Sequence, residues 1–308
     1  MKLGWIGAGR MGFDMAKRLA QGGCDIAVWN RTRAKAEPLS QVGAKIVDSL
    51  PELAGRDIVF CMVSTWNDVK DVTQKLLAGS AKPRMIVECS SISLEGSAEL
   101  RQILSAKGIE YLAAPVSGNA KVVKAGKLTF VVSGPKTAYE AARPYLDMMG
   151  RGSSYVGEGE LSRIVKICHN VFLGVVTQSL AEITVLAQKA GVPRHAFLDF
   201  VNNSVMGSMF TRYKSPALVN LDWTTTFTPE LLRKDIDLGL ELARENDVPM
   251  PVTAATREVL QSHFGAAQFK ANPEKYLGMD FAALMETMAS AAGMKLESES
   301  KNVPSGLE

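Results

Sequence analysis

At 308 residues the chain is too long for one ordinary domain and suits two. Its 46% apolar and 22% charged content is that of a water-soluble globular protein able to build a core without covalent staples. A formal net charge of +3, with Lys and Arg scattered along the chain, argues against nucleic acid or a lipid surface as a partner.

From Met1 to about residue 157, short apolar runs alternate with helical patterns. Strands are predicted at Lys2–Ile6, Asp25–Trp29, Ala44–Val47, Ile58–Val63, Met85–Glu88 and Ile109–Leu112. Between the first two, Met11–Gln21 has helical spacing and stops at Gly22-Gly23, a C-terminal signal. Such alternation implies right-handed crossovers and a parallel sheet. Leu128–Val132 and Ser154–Val156, around a helix near Thr137–Met149, are expected to extend that sheet.

The pattern changes at residue 161. Leu161–Ala190 has no proline and a single glycine, Gly174, and stops before Gly191 and Pro193. At 1.5 Å per residue this helix would run about 45 Å. Its apolar residues, among them Leu161, Ile164, Val171, Phe172, Val176, Leu180, Ile183 and Leu186, go most of the way round, which predicts burial on several sides. Beyond it, Arg194–Asn202, Thr228–Glu245, Val252–Phe264 and Phe281–Ala291 read as helices. The expected fold is therefore α/β in its first part, with a Rossmann-type doubly wound sheet over 1–160. A long interdomain helix over 161–190 and an all-α C-terminal substrate and oligomerisation domain over 191–296 follow, with a loose polar tail over 297–308.

Gly7-Ala8-Gly9-Arg10-Met11-Gly12 is a G-x-G-x-x-G run placed directly after the first strand and opening the next helix. In that position the first glycine makes a tight turn, the second lets a pyrophosphate approach closely, and the third lets helix and strand pack tightly. The phosphates then lie at the positive helix end. A dinucleotide site follows. NAD proteins normally carry an acid at the end of the second strand, for the ribose 2′-hydroxyl. Here that place reads Trp29-Asn30-Arg31-Thr32-Arg33. A guanidinium and a hydroxyl suit a 2′-phosphate that an acid would repel, so NADP is expected rather than NAD. Met62 and Val63, ending the fourth strand, are expected against the dinucleotide.

Four blocks carry a family resemblance. Gly4-Trp5-Ile6-Gly7-Ala8-Gly9-Arg10-Met11-Gly12, then Met15-Ala16 and Leu19, resembles the start of the 3-hydroxyacid (β-hydroxyacid) dehydrogenases, a family that includes 3-hydroxyisobutyrate dehydrogenase and is related to 6-phosphogluconate dehydrogenase. Ala114-Pro115-Val116-Ser117-Gly118 is similar to its substrate block, Gly157-Glu158-Gly159 through Lys166-Ile167-Cys168-His169-Asn170 to its catalytic block, and Phe227 through Asp235 to its C-terminal signature. The resemblance spans nearly the whole chain in order. It implies hydride exchange between NADP and a small 3-hydroxy acid or its semialdehyde, with Lys166 as acid/base and Asn170 orienting the hydroxyl. Ser117, the Gly118 backbone and Asn119 would meet the substrate, Lys234 would approach the nicotinamide or the carboxylate, and Ser91 would lie beside the cofactor. It also implies a homodimer or homotetramer, which a helix apolar on nearly every face independently favours.

Physical chemistry is consistent with these roles. Lys166 and Asn170 are four apart on a helix and share one face. Desolvation on an apolar face is expected to bring a lysine toward neutrality, as a general base requires. His169, next to this pair in sequence, is expected to turn away and serve structure; Trp66 reads equally as packing or function. The sequence departs from the family pattern at Ala113, where Asp is common, and at Asn119, where a second Gly is common. The latter points to a polar arm on the substrate rather than to 3-hydroxyisobutyrate itself.

The four cysteines, Cys24, Cys61, Cys89 and Cys168, are far apart and read as reduced thiols, and with only three histidines no metal centre is expected. The start of the chain, Leu3–Ile6 followed at once by glycines, Arg10 and Asp14, is unlike a signal peptide. No run of about 20 uninterrupted apolar residues offers a membrane span, so a cytoplasmic protein with no membrane partner is expected. Three other readings stay open: oxidative decarboxylation of the 6-phosphogluconate type, imine reduction, and a non-catalytic NADP-binding module. Retained Lys166 argues against imine reduction, and intact Lys166, Asn170 and Ser117 argue against the non-catalytic module.

Overall fold

Alternation along β1 (Lys2–Ile6) sets the architecture of the first half of the chain. Leu3 and Trp5 enter one apolar cluster and Ile6 another, because successive strand residues face opposite sides. A strand buried on both faces needs cover on both, which parallel crossovers supply. In the computed structural model, which describes residues 1–307, β1 lies inside a six-stranded, wholly parallel sheet. Its other strands are β2 (Asp25–Trp29), β3 (Lys45–Ile46), β4 (Ile58–Cys61), β5 (Met85–Glu88) and β6 (Glu110–Ala113). The order β3-β2-β1-β4-β5-β6 reverses its winding between β1 and β4, the kind of switch point at which doubly wound sheets bind ligands.

Helices cover both faces. α1 (Gly12–Gln21) buries Met15, Ala16 and Leu19 in the first cluster. α2 (Trp66–Leu76) and α3 (Leu94–Ser105) bury Val69, Val72, Leu76, Leu100 and Leu104 in the second. The Thr65 side chain caps α2 through the Asp68 N–H, and Ser93 caps α3 through Gly96. Both starts carry the sequence signal of an oxygen-bearing residue ahead of an apolar stripe.

The late strands do not extend this sheet, contrary to the sequence-based expectation. β7 (Val116–Ser117), β8 (Thr129–Val132) and β9 (Gly152–Tyr155) form a second sheet in the order β7-β8-β9, with β7 antiparallel to β8. A lone Ala113–Ser133 bridge links it to β6. Pro115 explains the break: it follows β6 and has no N–H to continue a ladder. Gly118, at φ 134°, and the short α4 (Ala120–Lys124) then return the chain to β8, after which α5 (Lys136–Met149) crosses to β9.

The chain divides into two compact units, Met1–Lys166 and Ile167–Glu308. One continuous helix, α6 (Leu161–Lys189), runs through the division, so Lys166 closes the first unit. The second unit adds α7 (Arg194–Asn203), α8 (Met209–Asn220), α9 (Pro229–Glu245), α10 (Pro251–Ala267), α11 (Pro273–Leu277) and α12 (Leu284–Ala291). Glycines let α6 and α9 approach closely: a Cβ on Gly239 would lie 2.1 Å from Val171 Cγ2, and one on Gly174 2.9 Å from Ile236 Cδ1. The sequence does not announce α8, because Pro216 lies inside it.

Two expectations for this unit are corrected. Burial of α6 on several sides is not reached within one chain, since Phe172 and Leu186 stay 68% and 69% exposed. By length and composition α6 could also cross a membrane, yet half of its most apolar window is buried inside the protein. The tail is not loose. Arg194 Nη2 donates to the Glu297 carbonyl, the Glu299 carboxylate accepts from the Arg194 and His195 N–H groups at 2.7 and 2.9 Å, and Lys301 and Asn220 bond reciprocally.

Candidate active site

The glycine run turns the chain out of β1 as the motif requires. Gly7 has φ 99°, and a Cβ there would lie 2.2 Å from the Met62 carbonyl oxygen. A Cβ on Gly12 would lie 2.0 Å from the Gly7 carbonyl oxygen, whereas one on Gly9 would meet nothing within 4 Å. First and third glycines therefore serve packing, and the second faces open space. No side chain caps α1, whose N-cap is Met11. Open space over Gly9 beside uncapped N–H groups at a helix start fits a pyrophosphate flanked by Ala8 and Arg10.

Asn30 braces this loop. Its Oδ1 accepts from the Ala8 N–H at 2.8 Å and its Nδ2 donates to the Thr32 carbonyl at 2.8 Å, while the Gly7 N–H donates to the Trp29 carbonyl at 3.0 Å. Arg31, 84% exposed, bonds Asp68 Oδ1 at 3.1 Å. The Thr65 hydroxyl, and then desolvation and Arg31, act on Asp68, with a net lowering of its pKa, so it stays a carboxylate. Arg33 pairs with Asp48 and Glu37.

The ends of β4, β5 and β6 are joined through one buried polar network. The Val63 N–H donates to Ser90 Oγ at 2.9 Å, and the Ser90 N–H donates to Glu88 Oε1 at 2.6 Å. Arg163, in the first turn of α6, donates to the Ser90 carbonyl at 2.6 Å and to Glu88 Oε2. Beside it Ser162 Oγ donates to the Ala113 carbonyl at 3.0 Å. Burial pushes the Tyr111 phenol up to about 12, which keeps it neutral against Ser97 Oγ at 2.8 Å. Sequence reasoning does not assign Glu88, Ser90 or Arg163. The available signal is a charge in each of two apolar segments, the strand Met85–Glu88 and the helix beginning at Leu161.

The same unit holds the substrate block. Ser117 ends β7, and a Cβ on Gly118 would lie 2.8 Å from Val122 Cγ1. Asn119 caps α4, its Oδ1 accepting from the Lys121 and Val122 N–H groups at 3.0 and 3.2 Å. That gives the departure from glycine a local structural role as well. Ser91 is exposed just past β5, Met62 and Val63 are partly buried past β4, and Lys166 is half-buried. Trp66 packs on Gly96, where a Cβ would lie 2.9 Å from its ring.

In the second unit, Asn170 Nδ2 donates to Asp235 Oδ2 at 2.7 Å. His169 Nδ1 lies 3.0 Å from Asn170 Oδ1. Lys234 is exposed and 3.5 Å from Asp235 Oδ1. Asp235, part of the C-terminal signature but given no role by the sequence, is thus the hub of this group. Cys61 and Cys89 are buried, Cys168 is exposed, and all four thiols are free. Among the described residues no cluster of three His, Cys, Asp or Glu could hold a metal.

Residues 2–157 match the family described as the NAD binding domain of 6-phosphogluconate dehydrogenase, and residues 162–274 that described as NAD-binding of NADP-dependent 3-hydroxyisobutyrate dehydrogenase. Glyoxylate/succinic semialdehyde reductase 2 of Arabidopsis thaliana is 30% identical over 295 residues, 94% of this chain and 80% of that protein. The 3-hydroxyisobutyrate dehydrogenase of Pseudomonas aeruginosa is 28% identical, covering 92% of this chain and 97% of its own. A solved 3-hydroxyisobutyrate dehydrogenase from Salmonella typhimurium shares the fold, with a TM-score of 0.78 at 24% identity over 93% of this chain and 99% of that one. With a doubly wound sheet, a glycine loop built for a pyrophosphate and a long helix leading into an α-helical unit, the chain belongs to the β-hydroxyacid dehydrogenase family, as a 3-hydroxyisobutyrate dehydrogenase-like, NAD(P)-binding oxidoreductase.

Proposed function

We propose that the protein interconverts a small 3-hydroxy acid and its semialdehyde, uses NADP in preference to NAD, and relies on Lys166 as the acid/base. The observation that carries this reading is the seating of the first turn of α6. Ser162 and Arg163 tie it to the ends of β6 and β5, in the unit that holds the glycine loop, and Lys166 follows within one turn. The names of the relatives add a common chemistry: glyoxylate, succinic semialdehyde and 3-hydroxyisobutyrate are each small carboxylates with one aldehyde or alcohol carbon.

In the oxidative direction neutral Lys166 Nζ takes the proton of the substrate hydroxyl as the carbon–oxygen bond becomes a carbonyl. In reduction its ammonium returns that proton to the nascent alkoxide. Asn170, one turn further along α6, orients the same hydroxyl, and Asp235 fixes the direction of its amide. Ser117 and the Gly118 N–H hold the carboxylate. Bound NADP(H) supplies or takes up the hydride. Residues Gly7 to Gly12, Thr32, Met62, Val63 and Ser91 would hold its nucleotide, and Arg31 the 2′-phosphate, in competition with Asp68.

We further propose that the protein works as a homodimer or homotetramer. Phe172, Leu186, Phe200, Met206 and Phe269 are each at least 68% exposed in one chain, large apolar side chains that a second copy would cover.

The function is tested with a panel of hydroxy acids, semialdehydes and cyclic imines, each with NADP(H) and NAD(H), followed at the nicotinamide absorbance band. Turnover of a small semialdehyde or 3-hydroxy acid supports the reading. Turnover of imines alone, or release of carbon dioxide with each oxidation, would replace it.

A further inference from the structure

Glu88 and Arg163 take no part in the proton transfer described above, yet they form an ion pair shut from solvent, with side chains 0% and 3% exposed. A buried guanidinium and carboxylate are costly unless their donors and acceptors are met. Here they are met on several sides. Glu88 Oε1 accepts from the Ser90 N–H and Oε2 from Arg163 Nη2, while Arg163 Nη1 donates to the Ser90 carbonyl at 2.6 Å. Arg163 Nε and Nη2 also reach Ser97 Oγ and Tyr111 OH, each at 3.4 Å.

Such a pair adds little to stability that well-packed apolar side chains could not supply. It adds direction. A planar guanidinium fork held by a carboxylate and a carbonyl fixes both the rotation and the height of the helix that bears it, whereas an apolar contact tolerates sliding. Arg163 lies three residues before Lys166 on α6, a spacing that puts both on neighbouring ridges of the helix. Its partners are the last residue of β5 and the residue just before Ser91.

We infer that Arg163 and Glu88 are positioning residues, which set the turn of α6 carrying Lys166 against the end of β5. The inference rests on Lys166 being the acid/base.

The test uses the full-length pair variant Arg163→Met/Glu88→Met, which removes both charges and leaves neither stranded. It should fold by circular dichroism and bind NADPH with a Kd within about threefold of the parent. Its kcat should fall by roughly tenfold to a hundredfold, the cost of displacing a reacting group by about 1 Å. The pH profile of kcat should shift as well, because Lys166 sits in altered surroundings. In a Lys166→Ala background the same pair change should cost no further kcat.

A folded pair variant with parental kcat would overturn the inference, as would a rise in the KM for NADP with kcat retained, since the pair would then serve the cofactor edge alone. A full additional loss of kcat on top of Lys166→Ala would overturn it too. Near-parental activity in Lys166→Ala alone would instead sink the assignment of the acid/base. Should the pair variant fail to fold, Glu88→Gln, which keeps the shape of the side chain, is read by the same split between kcat and NADPH binding.

Discussion

Arg31 leaves the end of β2 with its side chain 84% exposed and bound to Asp68 Oδ1 at 3.1 Å. An exposed ion pair of this kind is weak, so a phosphate can displace Asp68 at small cost. Arg31→Ala should therefore raise the KM for NADP by roughly tenfold, the worth of one exposed charge-assisted contact, and leave that for NAD within about twofold. Steady-state kinetics with both cofactors check this, and a parent enzyme that binds NAD more tightly than NADP would contradict it. Residues whose role lies in their own backbone are legible in the sequence: Gly7 and Gly12 have the contacts that the motif demands. Residues whose role depends on a distant partner are not. Arg163 meets Glu88 across 75 positions and Asn170 meets Asp235 across 65, and neither pairing leaves a local pattern. Asn119 has a local role too, capping the helix that follows it.

Elements follow the same rule. β1, β2 and β5 match the sequence-based strands end to end, because each is an apolar run with clear polar or glycine borders. β7 and the separate second sheet escape the sequence, because strand partners are set by the turn at Pro115 and not by any strand's own pattern. In the helical unit, α10 carries a histidine whose chemistry gives a test of that unit's packing. His263 is fully buried, stacks on Tyr276 at 4.7 Å, and lies 2.8 Å from Thr287 Oγ1 through Nδ1, while Nε2 finds no partner among the described residues. A bare acceptor is cheaper to bury than a bare N–H, so the proton belongs on Nδ1, facing Thr287. Desolvation, with a smaller contribution from Lys270, lowers the pKa from 6.5 to about 4. The unfolded chain then binds a proton that the folded one refuses between those values. Stability is complete above the unfolded pKa and declines as pH falls from there toward the folded one. Denaturant melts should show a loss of about 2 kcal/mol from this group between pH 7.5 and pH 5. His263→Gln should remove most of that dependence, and an unchanged slope in the variant would contradict the assignment.

At the scale of the whole molecule, the exposed apolar side chains concentrate in the second unit. Phe172 and Leu186 lie on α6, Phe200 on α7, Val205 and Met206 just beyond it, and Phe269 after α10. The apolar circumference of α6 is legible in the sequence, but a sequence does not say whether its own chain or a second copy provides the cover. Burying about 800 Å² per partner is the usual scale of a stable interface, and these six side chains would contribute to it. Sedimentation at micromolar concentration should give a dimer or tetramer, and Phe172→Asp with Leu186→Asp should shift it toward monomer. A parent protein that sediments only as a monomer would contradict this.

The central claim is that the amine of Lys166 exchanges the substrate proton, and Lys166→Arg tests it most directly. Arginine keeps the positive charge but does not release a proton near neutral pH. Pre-steady-state and steady-state rates should show kcat reduced by roughly 10²–10⁴, close to the loss in Lys166→Ala, with substrate KM and NADPH binding changed far less. A Lys166→Arg enzyme with near-parental kcat would show that the residue serves only as a positive charge, and the proton would have to pass through another group, Lys234 being the first to examine.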